Sequence, residues 1–144
     1  MPHNVEIPDY VIERIMAKRG RLNVFDRFDA AKTALVVIDM QNFFVAEVEM
    51  ARSICPNINT LADRVRELGG TVAWVKMTVA DELDGPSNWP IYHDYFFTPE
   101  KMKAHKDSLT EGSEGQKIYP DLKPEDVDII AAKKRFSAFI QGSS

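Results

Sequence analysis

Two short apolar runs joined by one amphipathic helix limit what this chain can fold into. Ala34-Leu35-Val36-Val37-Ile38 is an unbroken apolar stretch that stops abruptly at Asp39, the pattern of a strand covered on both faces. From Asn57 to Leu68, Ile58, Leu61, Ala62, Val65 and Leu68 follow a 3.6-residue period, with Pro56 near the first turn and Gly69-Gly70 closing the helix. Thr71-Val72-Ala73-Trp74-Val75-Lys76-Met77 follows at once as a second strand. A strand, helix and strand in such close succession form a crossover unit with parallel strands, so an α/β fold is expected.

The remaining chain fits around that unit. Val11, Ile12, Ile15 and Met16 predict a short amphipathic helix from Asp9 to Arg19, stopped by Gly20, within an N-terminal extension of residues 1–30. Residues 78–122 read as a long loop or insertion with one helix starting at Thr98-Pro99-Glu100 and an aromatic cluster of Trp89, Tyr92, Tyr95, Phe96 and Phe97. Connections of that length carry function or form a small subdomain. Val127 to Ala132 reads as a third strand ending at Lys133. The 144 residues, 44% of them hydrophobic, suffice for one core and one domain.

Composition removes several classes of function. With 22 acidic against 18 basic residues, a net charge of -4 and no basic stripe, the chain lacks the electrostatic footprint of a nucleic-acid binder. No apolar run approaches the roughly 20 residues that span a bilayer, so neither a membrane segment nor a secretory leader is expected and the reading is cytoplasmic. Cys55 is the single cysteine, and with three scattered histidines it makes neither a disulfide framework nor zinc-ligand spacing. No glycine-rich phosphate loop follows the first strand, where Met40-Gln41-Asn42-Phe43-Phe44 stand instead, which disfavours a nucleotide-binding domain.

Two charged residues stand at strand ends. Asp39 directly follows the first strand, at the carboxyl edge where open parallel sheets bind ligands. Taken alone it reads first as a helix N-cap or loop aspartate. Lys133 holds the equivalent place on the third strand, and alone would be a surface lysine. Side by side, such a pair could orient an acid or hold the charge of an intermediate.

Together these residues fall into a known pattern. Val36-Val37-Ile38-Asp39-Met40-Gln41-Asn42-Phe43-Phe44 resembles the opening signature of the isochorismatase-like cysteine hydrolases, and Lys133-Lys134-Arg135-Phe136-Ser137-Ala138-Phe139 resembles their second signature, in which the fourth place is commonly tyrosine. The resemblance runs from about Lys32 to Phe139. It implies a three-layer α/β/α doubly wound fold with a mostly parallel sheet, of which this chain supplies the N-terminal half-sheet. It also implies that Asp39 is the catalytic base and Lys133 the orienting cation of a cysteine nucleophile that attacks a small amide, carbamoyl or ureido substrate without a cofactor.

In the family that cysteine follows the lysine by a few dozen residues, a stretch this sequence does not include. Cys55, at the start of the first helix, is not where the family places its nucleophile. The expectation is therefore a chain inactive by itself, which works with a C-terminal segment or companion polypeptide, or within a homo-oligomer. The other reading is a non-catalytic remnant or assembly partner that keeps the half-sheet. Gln41, Phe44, Trp89 and Phe136 are candidate substrate contacts, although loop aromatics also serve as local core. Some relatives bind metal through an aspartate followed two places later by histidine. Here Asp81 lacks that histidine and His93 and His105 read as ordinary loop and helix-face residues, so no metal is expected.

Overall fold

The computed structural model describes residues 6–140. Helix α1 (Asp9–Arg19) leads through a short 3-10 turn at Ala30–Lys32 into strand β1 (Ala34–Ile38). Helices α2 (Asn42–Val45), α3 (Glu49–Ser53) and α4 (Cys55–Glu67) precede strand β2 (Thr71–Met77), and α5 (Pro90–Phe96) and α6 (Pro99–Leu109) lie between β2 and strand β3 (Ile129–Lys133). The strands form one parallel sheet in the order β1-β2-β3. Among the described residues, no helix is long and apolar enough to cross a membrane.

The crossover unit forms because both of its glycines are needed. Gly69 adopts φ 78°, the left-handed conformation that ends α4. Gly70 sits where an added Cβ would lie 2.7 Å from Val65 Cγ1 and 2.8 Å from the Ala30 carbonyl oxygen, so β2 enters the sheet against the helix it has just left. From α4, Cys55, Ile58, Ala62 and Val65 pack onto Leu35 and Val37 of β1 and Val72 and Trp74 of β2, with Leu122 closing the cluster. Leu61 and Leu68, although they fit the helical period, stay exposed on the flank.

A buried ion pair ties β3 to the same face. Arg66 donates through Nε and Nη2 to the two carboxylate oxygens of Asp128 (2.9 and 2.6 Å), and the Trp74 indole N–H and the Glu125 backbone N–H donate to Asp128 Oδ2 (2.7 and 2.9 Å). The Asp128 side chain is 1% exposed. The Arg66 guanidinium above all holds that carboxyl down at about 2, below its usual range.

The opposite face departs from the expected strand covered on both sides. Val36 and Ile38 of β1 are 49% and 56% exposed and Ile129 of β3 is 54% exposed, so the described residues build one helical layer on the sheet and leave the other side open. Strand β1 pairs with β2 alone among the described strands. Apolar sequence shows that a strand prefers cover, but not whether the same stretch of chain supplies it.

Three further expectations change in detail. The 78–122 stretch holds two helices rather than one, α5 being a single aromatic-rich segment begun by Pro90. It returns to the sheet end through Val79 N–H to the Leu109 carbonyl (2.8 Å) and Glu111 N–H to the Ala80 carbonyl (2.9 Å). The third strand starts at Ile129, leaving Val127 exposed in the preceding turn, and includes Lys133. Helix α1 forms as expected with Gly20 at φ 68°, yet buries none of its residues.

Candidate active site

Asp39 and Lys133 meet at the carboxyl edge of the sheet. Strands β1 and β3 flank β2, and the lysine Nζ donates to Asp39 Oδ2 at 2.7 Å across the end of β2 and to the Phe136 carbonyl at 3.2 Å. The lysine side chain is 6% exposed and the aspartate 35%. An ammonium so buried needs its counter-charge: removing the carboxylate would leave an unpaired charge in the protein, which costs about 3–5 kcal/mol.

Asp39 is no helix cap, since α2 takes Gln41 as its N-cap residue without a side-chain cap bond. Instead Asp39 adopts φ 58°, and among the described residues it is the one non-glycine with positive φ. Aspartate tolerates that region better than most residues, but strain of this kind still costs on the order of 1–3 kcal/mol. Its backbone N–H donates to the Val75 carbonyl at 2.9 Å. Its Oδ1 is buried and has no hydrogen-bond partner. One carboxylate oxygen is thus fixed by the lysine, and the other is an accepting group with nothing to accept.

An aromatic wall stands beside the pair. Trp89 stacks on Tyr92 at 4.7 Å, and Phe136 meets both rings edge-on at 4.9 and 5.2 Å. The Arg135 guanidinium lies 5.2 Å from the Trp89 ring centre, in cation–π range, and donates to the carbonyls of Asn88 and Lys134. Below this wall, Lys133, Phe136, Ser137, Ala138 and Phe139 join Val36, Ile38 and Val75 around a cavity of about 290 Å³ on the open sheet face.

The candidate substrate contacts therefore separate into two groups. Trp89 and Phe136 come together next to Lys133. Phe44 packs into a second core cluster with Met77, Val79 and Leu109. Gln41, expected as a substrate contact, is wholly buried: its Nε2 donates to the carbonyls of Met77 (3.0 Å) and Gln116 (2.8 Å), and its Oε1 accepts from Met77 N–H (2.7 Å). Both of its donors are engaged within the protein.

His105 lies on helix α6 as expected, whereas His93 sits in a helix rather than a loop. His93 is buried in α5, with Nδ1 facing the Ser87 hydroxyl and, at 3.0 Å, the Trp89 carbonyl, while Nε2 lies 3.1 Å from His105 Nδ1. With the proton on Nδ1, His93 donates to the Trp89 carbonyl and accepts from His105 through Nε2. Burial lowers the pKa of both, His105 to about 4 with His93 adding to the effect. Cys55 is buried as well, and burial, with Asp121 adding to it, raises its thiol pKa. Among the described residues, no three His, Cys, Asp or Glu side chains converge as a metal site.

Sequence reasoning named Tyr92 only within the aromatic cluster and Arg135 only within the second motif, and did not single out Gln116. Arg135 follows the Lys133-Lys134 pair, where charge density hides a single directed guanidinium. Gln116, buried in a polar loop, has no local signal at all.

Comparisons with known proteins bear on the family and the fold. Over 128 aligned residues the chain is 27% identical to the ureidoacrylate amidohydrolase RutB of Klebsiella pneumoniae subsp. pneumoniae, an alignment that takes in 78% of this chain and 54% of that protein. Among solved structures, the fold matches a cysteine hydrolase from Pseudomonas syringae pv. phaseolicola 1448A with TM-score 0.62 at 19% identity, covering 81% of this chain and 54% of the other. It matches N-carbamoylsarcosine amidase from Thermoplasma acidophilum with TM-score 0.53 at 20% identity, covering 76% and 56%. The chain spans about half the length of the relatives it matches. The isochorismatase domain model matches residues 33–143, a span that begins just before β1 and contains both Asp39 and Lys133, and the chain belongs to the isochorismatase family of hydrolases.

Proposed function

We propose that this chain supplies the acid–base half of a cysteine hydrolase that cleaves a C–N bond in a small amide, carbamoyl or ureido compound. The observation that carries the proposal is the split environment of the Asp39 carboxylate, with Oδ2 bound to Lys133 and Oδ1 buried without a partner. A carboxylate so placed accepts a proton from a nucleophile brought within hydrogen-bond reach, and the adjacent ammonium keeps it oriented. The thiolate formed would attack the substrate carbonyl, forming an S–C bond, and collapse of the intermediate would expel the amine, which takes a proton back from Asp39. Water then hydrolyses the thioester and frees the thiol.

In this reading the thiol comes from a polypeptide segment outside the 144 residues. Cys55 does not serve, because it lies buried under α4 on the far side of the sheet from the open face. The edge of β1 that no described strand pairs with, and the apolar Val36 and Ile38 beside the site, offer that segment backbone partners and cover. Trp89 and Phe136 would form the substrate wall, where a planar ureido or amide group stacks well. The named activities of the ureidoacrylate amidohydrolase and N-carbamoylsarcosine amidase point to the same substrate class.

The test is reconstitution. The chain is co-expressed with a polypeptide corresponding to the unmatched half of a full-length relative, and hydrolysis of ureidoacrylate, N-carbamoylsarcosine and simple amides is followed by ammonia release. Activity that falls by at least about 100-fold in Asp39→Asn and Lys133→Met assemblies supports the reading. A stable assembly carrying the cysteine, yet inert toward the whole panel, overturns it in favour of a non-catalytic role.

A further inference from the structure

We infer that Gln41 is a positioning residue for Asp39, acting as a substitute peptide group that continues the β1–β2 ladder after the chain has left the sheet. The inference rests on the reading of Asp39 as the base, but it concerns how that carboxylate is held rather than what it attacks.

The hydrogen-bond pattern of the parallel pair carries the argument. In β2, residues 75 and 77 turn their N–H and C=O groups toward β1, as the Asp39 N–H to Val75 carbonyl bond shows. A straight continuation of β1 would place its next peptide against Met77. The chain instead turns at Asp39, whose φ of 58° takes it out of the strand. The Met77 N–H and C=O would then be stranded, and it is the Gln41 side-chain amide that meets both, accepting at 2.7 Å and donating at 3.0 Å. A primary amide carries its C=O and one N–H on the same side, so it can meet the N–H and C=O of Met77 as the two peptides flanking a strand residue would, and glutamine has the reach to deliver it from two residues beyond Asp39.

Its second N–H fixes the other side of the turn. It donates to the Gln116 carbonyl at 2.8 Å, in a loop that also binds the turn through Tyr119 N–H to the Met40 carbonyl and Asn42 N–H to the Lys117 carbonyl, both at 2.9 Å. The Gln116 side chain in turn donates to Thr78 Oγ1 at 2.9 Å, directly after Met77. Asp39 is thus clamped between its own rung on Val75 and the amide rung on Met77. That clamp holds a strained backbone in the one geometry that brings the carboxylate to Lys133.

The clamp has a reporter that needs no turnover. The Lys133 ammonium is buried and bound to Asp39, so its protons are expected to exchange slowly enough with solvent for its ¹⁵Nζ–¹Hζ signal to be followed by NMR. In Gln41→Leu, similar in size but without the amide, the exchange rate of that ammonium is expected to rise at least tenfold while far-UV circular dichroism stays that of the folded chain. Trp74→Phe is the control. It removes the indole bond to Asp128 on the opposite sheet face, so it lowers stability and should leave Lys133 exchange within twofold of the parent.

Gln41→Glu tests the chemistry directly and serves even where the leucine variant does not fold. A carboxylate keeps the acceptor for Met77 N–H but donates to neither carbonyl, whereas a protonated carboxyl regains one donor. Burial and the two facing carbonyls raise the pKa of such a carboxyl above its ordinary value of about 4.3, so the variant's exchange rate relative to the parent should lie closer to one at about pH 5, where the carboxyl is protonated, and rise as the pH is taken toward about 9. Unchanged exchange in Gln41→Leu, equal acceleration in Trp74→Phe, or a pH-independent ratio in Gln41→Glu each overturns the inference. Failure of the reconstituted hydrolase would leave all three readouts intact.

Discussion

Substituting Asp128 by asparagine tests whether the clamp between α4 and β3 holds the sheet together. The carboxyl is held at about 2 against an ordinary 3.8, chiefly by the hydrogen bonds from Arg66. A difference of that size corresponds to about 2 kcal/mol of stability. Removing one partner of a buried pair costs about 3–5 kcal/mol when the other is left alone. Here Arg66 keeps the exposed Asp63 and Glu125 as partners at 3.0 and 3.1 Å, which places the expected loss between the linkage value and the low end of that range, about 2–3 kcal/mol. The assay is urea unfolding of parent and variant at pH 7, where that loss moves the midpoint by roughly 1–2 M.

The pH dependence follows from the sign of the shift. Because the folded pKa lies below the unfolded one, the folded chain keeps this charge to lower pH. Its contribution is complete above about pH 4 and is lost as the pH falls toward 2. The gap between parent and Asp128→Asn should therefore be constant from pH 7 to about 4 and close below it. Midpoints that coincide at pH 7, or a gap that stays open at pH 2, would refute the account of this pair as a buried, charge-stabilised tie.

Other outcomes follow from the same structure. Since burial holds both His93 and His105 neutral, with His105 at about 4, the unfolded chain takes up their protons first. Stability should fall between about pH 6.5 and 4, by at most about 3 kcal/mol from His105, whose partial contact with solvent makes that a ceiling; urea midpoints of His105→Phe should fall less steeply over this window. Gly70→Ala forces a Cβ against Val65 and the Ala30 carbonyl and should destabilise by about 1–3 kcal/mol, read as a lowered Tm. Cys55 should react with thiol reagents on the order of 100-fold more slowly in the native chain than in urea, and a fast native reaction would show the thiol to be accessible after all.

What could be read from sequence was whatever repeats with a local period. The strands 34–38 and 71–77 matched their observed bounds, because each is a compact run of strand formers, the first ended by a charge and the second begun by a glycine pair. Parallel pairing followed from the helix between them. The meeting of Asp39 and Lys133 was legible only because two motifs stand in a familiar order, for nothing local marks either residue. What escaped depended on tertiary context. The helical period includes Leu61 and Leu68 as readily as Ala62 and Val65, and only the angle at which α4 lies on the sheet exposes the first two. Gln41 looked like a polar group available to a ligand because a sequence does not reveal that Met77 would be left without a backbone partner. His93 looked ordinary for the same reason, its partner His105 lying on the following helix.

The bond between Lys133 and Asp39 closes a loop of 94 residues, and this span has a kinetic meaning. Bringing the ends of so long a segment together is entropically costly until intervening structure shortens it. The crossover of β1, α4 and β2 does part of that, and the return of the chain through α5 and α6 to β3 does the rest. The ion pair is therefore expected to form late in folding, after the sheet has its third strand, and to be among the first interactions to break when β3 detaches. An interaction that spans the sheet in this way acts as a conformational checkpoint: the carboxylate acquires its oriented form only in chains that have completed the fold.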